Sequence, residues 1–295
     1  TGGAFLGDAV GHSMLGKVAT GQQAHGAPPG YHLLAFNIAF WPGSLFAVLA
    51  IPFVWRNRRE PAFRFLIAWI LPTWLVFELV ATKLPHYTLP THPAIATLAA
   101  AALTAGAIRL PEGRWRWAAL GYLGLWKLVG AALALAGTGA ALYLDRRLDP
   151  VAVAVSLAGL AAIGFAGLAM LRGRTTRALV LAAAAGLVIW VDTFGWTLPR
   201  LEGLWLTPRI VAAAEAAAPC PERLLVTTPY HEPSLVFVHG PYATRLAGSP
   251  EEAAEVLAER RGCTVAVVGA RERERFLARA AELGIAPGAA GSGPG

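Results

Sequence analysis

Six stretches of the chain are apolar for long enough to cross a lipid bilayer as helices. They cover about residues 32–54, 63–81, 90–108, 117–144, 151–171 and 178–197. A bilayer core about 30 Å thick requires roughly 20 consecutive apolar residues in helical form. Only 15% of the residues are charged, whereas soluble domains are charged at about a quarter of their positions. The sequence therefore predicts an α-helical multi-pass membrane protein with about six transmembrane helices.

The character of the sequence changes after Pro199. We expect four parts: an extracytoplasmic loop with an interfacial helix (1–30), a transmembrane domain with six spans (31–198), a small extracytoplasmic α/β domain (199–285) and a flexible tail (286–295). Within the α/β domain, the patterns predict helices at about 207–217, 250–261 and 271–283 and strands at about 222–228, 234–239 and 263–269.

Two cysteines, Cys220 and Cys263, lie at the beginnings of two predicted strands, and they are the chain's only cysteines. Outside the cytoplasm such a pair is typical of a disulfide. Two unpaired buried thiols are the alternative.

The distribution of arginine predicts the orientation. Ten arginines lie in or beside three alternate loops, which are 55–62 (with Arg64 just beyond it), 109–116 and 172–177. The other two loops, 82–89 and 145–150, carry only Lys83, Arg146 and Arg147 as basic residues. Short basic loops lie in the cytoplasm, so we expect loop 82–89 and the α/β domain on the periplasmic side of a bacterial inner membrane. Topology also accounts for much of the formal net charge of +7, and we predict no binding of nucleic acid.

The first thirty residues contain neither an initiator methionine nor a recognisable signal peptide. We therefore expect the chain to be the C-terminal part of a longer protein. Apolar residues at helical spacing predict an amphipathic interfacial helix over 4–19. The Pro28-Pro29 pair then fixes the direction in which the chain enters the first span.

A polar segment, TKLPHYTLPTHP at 82–93, separates two strongly apolar stretches. Its prolines disfavour helix, which predicts a bent, non-helical loop at the membrane surface. Lys83 offers a positive charge, Tyr87 a hydroxyl and His86 a donor or acceptor that can gain charge. These groups suit an anionic ligand such as a lipid phosphate. A snorkelling lysine and an aromatic-belt tyrosine are an equally good interpretation of the residues alone.

Three motifs carry a resemblance to a known family. The stretch KLPHYTLPTHPAIATLAAA, preceded by ELVAT, resembles a signature of bacterial polyprenyl-phosphate-dependent glycosyltransferases of the GT-C type, which are related to protein O-mannosyltransferases and to the lipid A aminoarabinose transferase. The stretch at 21–34, GQQAHGAPPGYHLL, is similar to a second motif of that family, and EPSLVF at 232–237 is similar to a third. The resemblance implies transfer of a sugar from a polyprenyl-phosphate donor to a lipid, glycan or protein acceptor on the extracytoplasmic face.

The resemblance also implies a site. Lys83, with His86 and Tyr87, would hold the carrier phosphate, and the same cavity would include Glu78, Lys17, Gln22 and His25. Glu78 lies about one helical turn inside the membrane, where an acidic residue is by default a functional candidate, with Lys83 or His86 as its expected partner. The family's catalytic carboxylate belongs to a first outside loop that would precede Thr1, so we assign no catalytic residue.

Other functions stay open at this point. A transporter or flippase of lipid-linked sugars is the alternative from another class, although the sequence has no second copy of KLPHY such as repeated halves would give. A non-catalytic remnant is a third alternative. No two of the seven histidines have a ligand spacing such as HExxH, so we predict no metal held by protein side chains. No cofactor is required with certainty, and a divalent cation is compatible with the sequence.

Overall fold

The computed structural model describes residues 26–260 and 262–286. The chain divides into two compact units, Thr1–Arg200 and Leu201–Gly295. The predicted interfacial helix at 4–19 and nearly all of the predicted tail lie outside the described residues.

The described part of the first unit consists mainly of helices. Its helices are α1 (Tyr31–Ala39), α2 (Gly43–Arg56), α3 (Pro61–Leu79), α4 (His92–Thr104), α5 (Trp115–Asp145), α6 (Pro150–Leu171) and α7 (Thr175–Asp192). A 3-10 helix, Pro85–Thr91, leads directly into α4. A π-helical turn, Thr193–Thr197, and a last helical turn extend α7 to Arg200.

Four of these helices are long and apolar enough to cross a membrane: α3, α5, α6 and the extended α7. The pair α1 and α2 passes the same test only when taken together, and its two helices are bent by 118°. The described chain thus has four candidate spans, or five if the bent pair counts as one, and this supports a multi-pass membrane protein. The third predicted span, 90–108, appears as α4 with only 13 residues. A total of six spans stays a prediction.

The break between α1 and α2 corrects the expectation of one continuous helix over 32–54. Trp41, at the break, is buried against Trp126 of α5, with ring centroids 5.7 Å apart. Each indole also donates a hydrogen bond to the backbone of the other segment. Trp41 Nε1 donates to Trp126 O (3.2 Å), and Trp126 Nε1 donates to Pro42 O (3.0 Å). Pro42 has no backbone N–H to continue α1. The break is therefore held by tertiary packing as well as by proline.

Small residues bring α5, α6 and α7 close together. Gly159 of α6 lies where an added Cβ would be 3.2 Å from Ala134 Cβ of α5. Ser156 Oγ donates to Ala134 O at 2.6 Å and lies 2.9 Å from Thr138 Oγ1. Small residues and short hydroxyl bonds are how helices approach one another in lipid, where the hydrophobic effect does not drive their association.

Two of the arginine-rich loops meet at one end of the helical unit. Thr175 Oγ1, at the start of α7, donates to Ile108 O at 3.0 Å. Arg109, Arg174 and Arg177 line a cavity of about 590 Å³ beside this contact. Loops 109–116 and 172–177 therefore lie on the same end, as alternating spans require.

The second unit is a small parallel sheet with helices. Helix α8 (Leu206–Ala217) precedes β1 (Leu224–Thr228), and α9 (Pro233–His239), β2 (Thr244–Leu246), α10 (Pro250–Glu259), β3 (Thr264–Val268) and α11 (Arg273–Glu282) follow. The strand order is β2-β1-β3, and β1 pairs with β3 from Leu224↔Thr264 to Thr228↔Val268. Parallel neighbours need a crossover between them, and α9 and α10 occupy those connections.

The prediction of a strand at 234–239 is wrong, because this segment is helix α9. Pro233 stands at its first turn, a position where a missing N–H is tolerated. Only Leu235 of the apolar run is buried, whereas Phe237 is 91% exposed. This one-sided burial suits a short helix, and the strand lies instead at Thr244–Leu246.

Candidate functional site

The KLPHY segment forms a compact structure after α3. The helix ends at Leu79, Val80 is extended, and a 3-10 helix begins at Pro85. The prediction of a non-helical loop is therefore wrong for Pro85–Thr91. Proline at the first position is compatible with this helix because its φ is already close to helical values. Thr91 Oγ1 donates to Thr88 O at 2.7 Å, and both threonines are buried.

Lys83 is buried, with 4% of its surface exposed. Its ammonium donates to three backbone carbonyls at the end of α3: Val80 O at 2.6 Å, Glu78 O at 2.8 Å and Phe77 O at 3.4 Å. A lysine has three N–H donors, and all three are engaged here. Lys83 thus satisfies carbonyls that the helix end leaves without intrahelical partners, and its charge opposes the negative end of the helix dipole.

Glu78 has partners that the sequence did not suggest. Its carboxylate oxygen Oε2 accepts a hydrogen bond from the Gly30 backbone N–H at 2.9 Å and lies 3.7 Å from Nδ1 of His32. The expectation that its carboxylate pairs with Lys83 or His86 is wrong, because Lys83 binds the backbone oxygen of Glu78 instead. Gly30 has φ of +94°, a conformation that favours glycine and turns the chain into α1.

Residues 26–32 and 78–92 together form what we call the candidate site. A bridge pairs Gly26 with Thr82 in antiparallel fashion. Nε2 of His32 lies 3.2 Å from Leu84 O, in addition to the contact between Gly30 and Glu78. Two motifs that are about fifty residues apart in the sequence are therefore adjacent in space.

Aromatic rings complete the candidate site. Tyr87 lies between Phe77 and His32, with ring centroids 5.0 Å and 6.4 Å away. His86 is exposed and contacts Tyr87 edge-on at 5.2 Å. Of the predicted ligand-binding residues in the described part of the chain, His86 is thus the most accessible and Lys83 the least.

The predicted site residues fall into two groups. Lys17, Gln22 and His25 lie outside the described residues, so their place in the site stays a prediction. Lys83, His86, Tyr87 and Glu78 lie close together, and their role in binding a ligand stays a prediction. His32 was not predicted as a site residue. A histidine inside the first apolar stretch was nevertheless a visible signal, and Glu78 could have been predicted as its partner.

Polar residues elsewhere are separate from the candidate site. Lys127 of α5 lies with its side chain against Gly167 of α6. Asp192 is buried and accepts a hydrogen bond from Thr197 in the π-helical turn. Within residues 26–260 and 262–286, no group of three or more His, Cys, Asp or Glu could hold a metal ion.

In the second unit, Cys220 and Cys263 form a disulfide with Cα atoms 6.2 Å apart. The bond links the chain before β1 to the chain before β3, where Leu224 N donates to Cys263 O. The third motif of the resemblance, EPSLVF, also belongs to this unit and lies at the start of α9. The other two motifs belong to the first unit.

A comparison with known proteins gives a partial match. Over 129 residues, or 43% of this chain, the sequence is 36% identical to the undecaprenyl phosphate-alpha-4-amino-4-deoxy-L-arabinose arabinosyl transferase 2 of Pseudomonas fluorescens (strain Pf0-1). The chain covers 22% of that relative's length. No protein-family model matches the chain, and no solved structure matches it. The similarity supports a glycosyltransferase relationship in general terms.

Proposed function

We propose that this chain is part of a membrane glycosyltransferase that takes a sugar from a polyprenyl-phosphate donor and delivers it to a lipid, glycan or protein acceptor on the extracytoplasmic face. The observation that carries the proposal is the contact between residues 26–32 and 78–84, which brings two of the three motifs of the resemblance together. The partial similarity to an arabinosyl transferase whose name includes an undecaprenyl-phosphate sugar supports the same class.

The candidate site suggests how the carrier phosphate is held. His86 is exposed and Tyr87 is half-buried, and the charge of the buried Lys83 is fixed by three carbonyls. The contact with Phe77 O, at 3.4 Å, is the longest of the three. In the proposed mechanism a phosphate oxygen replaces this carbonyl, and the ammonium stabilises the charge that develops as the sugar leaves. Such electrostatic stabilisation is strong in a site that excludes water.

The first prediction concerns Lys83. In the complete enzyme, Lys83→Met should lower the rate of sugar transfer by about a hundredfold or more, because removal of one such contact typically has this effect. The measurement is transfer from a radiolabelled polyprenyl-phosphate sugar in proteoliposomes, together with the thermal stability of the variant. Lys127→Met is the matched control, since it removes a lysine of α5 that packs against Gly167 of α6, away from the candidate site. Normal transfer by a stable Lys83→Met protein would remove Lys83 from the proposed site.

The variant His86→Ala tests ligand binding without disturbing the cap of α3. His86 has no part in capping α3, so His86→Ala should leave the melting temperature unchanged and weaken donor binding. Binding of polyprenyl phosphate in lipid nanodiscs, followed by native mass spectrometry, measures this without an acceptor. Equal binding by wild type and His86→Ala would argue against this face of the candidate site.

A further inference from the structure

The contacts of His32 leave one of its two ring nitrogens without a hydrogen-bond partner. The imidazole is fully buried, and Nε2 lies 3.2 Å from Leu84 O. A carbonyl oxygen only accepts hydrogen bonds, so Nε2 must carry the hydrogen. In a neutral imidazole with that tautomer, Nδ1 has a lone pair and no hydrogen. That nitrogen lies 3.7 Å from Oε2 of the Glu78 carboxylate, the oxygen that also accepts from Gly30 N.

Two acceptors that face each other in a buried place, without a hydrogen between them, are unfavourable. Nδ1 of His32 and Oε1 of Glu78 are two of six buried side-chain atoms in the described residues that have no hydrogen-bond partner. One proton removes the conflict, either on Nδ1, which gives an imidazolium beside a carboxylate, or on Glu78, which gives a carboxylic acid beside a neutral imidazole. Both forms contain one proton more than a neutral histidine and an ionised glutamate.

The surrounding titratable groups do not replace this proton. Tyr31 of α1 lies edge-on to the imidazole at 5.3 Å between ring centroids, and Tyr87 of the 3-10 helix stacks on it at 6.4 Å. Lys83 places its ammonium on the backbone oxygen of Glu78, and the neighbouring His86 contacts Tyr87. The remaining ring neighbour, Phe77 of α3, is apolar.

We propose that His32 and Glu78 share one bound proton and that His32 is a positioning residue, which holds the Leu84–Tyr87 backbone against α1. The link runs from the Glu78 carboxylate through the imidazole to Leu84 O, and Tyr87 packs on the same ring. Only the consequence for substrate rests on the proposed function, because placement of His86 and Tyr87 matters to a ligand only if that site binds one. The shared proton itself does not depend on the proposed function.

The proton is tested on the wild-type chain in lipid nanodiscs at neutral pH. Nitrogen-15 NMR of labelled histidine reports whether each ring nitrogen of His32 is protonated, with its signal assigned by its loss in His32→Gln. Infrared spectroscopy reports a protonated carboxyl group through a band that Glu78→Gln removes. We expect one of the two signatures, a doubly protonated imidazole or the carboxyl band. A neutral imidazole with a bare Nδ1 and no carboxyl band would overturn the proposal.

Positioning is tested by hydrogen exchange of the peptide that covers 81–87. Loss of the hydrogen bond from His32 Nε2 to Leu84 O should make its amides exchange about tenfold faster in His32→Gln, and loss of the carboxylate beside the imidazole should change exchange in the same direction in Glu78→Gln, with α6 unchanged. His92→Gln is the matched control, because His92 packs on Phe36 and Phe40 and has no contact with Glu78. Unchanged exchange in both variants would overturn the positioning role. Neither measurement uses a sugar donor, so a failure of sugar transfer would be distinguishable from a failure of this inference.

Discussion

Lys83, His32 and Ser156 each donate to backbone carbonyl oxygens inside the helical unit. The carbonyls that they use lie at a helix end, in a loop and along a helix side. Buried polar groups are tolerated when they are hydrogen-bonded. At the residue scale, the chain therefore keeps polar side chains within an apolar unit by directing them to backbone oxygens.

Asp149 provides a prediction about pH. Its carboxylate caps α6 by accepting from the backbone N–H groups of Ala152 and Val151. The N–H of Ala152 contributes most to holding the pKa of Asp149 below its usual range, and Trp196, Val151 and Arg147 also contribute. A lowered pKa means that this stabilisation is complete above the pKa of the unfolded chain. It is lost as pH falls through the lower pKa of the folded protein.

Asp149→Ala should therefore lower stability by about 1 kcal/mol near neutral pH, as loss of a helix cap does. The difference from wild type should shrink toward acid pH. Thermal unfolding in detergent, followed by tryptophan fluorescence across acid pH, measures this. Asp149→Asn is the control, because asparagine caps without charge. A difference that stays constant down to strongly acid pH would contradict the role of the ionised cap.

At the scale of elements, the break between α1 and α2 shows what local sequence could and could not predict. Residues 32–54 form one apolar run, and length and hydropathy alone favour a single span. Pro42 was a visible signal for a break. The docking of Trp41 between Gly130 of α5 and Gly186 of α7 was not visible, because it joins residues far apart in the sequence.

Gly130 of α5 allows the packing around Trp41 to be tested. A Cβ at this position would lie 2.7 Å from Cζ2 of Trp41, so Gly130→Ala must displace the indole. We expect a loss of about 1–3 kcal/mol, which is typical of overpacking. Gly139→Ala in the same helix is the control. A Cβ there would meet nothing within 4 Å, and alanine should stabilise the helix by up to about 1 kcal/mol. Equal melting temperatures for the two variants would contradict the tight packing at Trp41.

The sequence allowed some residues of the candidate site to be predicted, but it did not allow the contacts between them to be predicted. Glu78 and Lys83 stand out in sequence because ionisable residues beside apolar spans are rare. Their neighbours depend on how the chain before α1 folds back onto the end of α3. No periodicity encodes the pairing of Gly26 with Thr82 or of Glu78 with His32, so these contacts could not be derived from the residues alone.

At the scale of the whole molecule, the disulfide gives a prediction for the second unit. Cys220 and Cys263 are 43 residues apart, and a loop of this size corresponds to about 4 kcal/mol in the chain-entropy account. The double variant Cys220→Ser, Cys263→Ser should lower the stability of the sheet by that order. Hydrogen exchange of β1 and β3 measures the loss, and reduction of the wild type should reproduce it. Unchanged exchange in both cases would show that the sheet does not depend on the bond.

The same bond determines what proteolysis would reveal. The segment between the cysteines contains Tyr242, whose side chain is 98% exposed. A protease that cleaves after aromatic residues would therefore cut the chain there. Because the cysteines lie on either side of the cut, the two fragments would stay attached through sulfur. A nicked chain would migrate as a single species on a denaturing gel without reductant and would separate into two only after reduction.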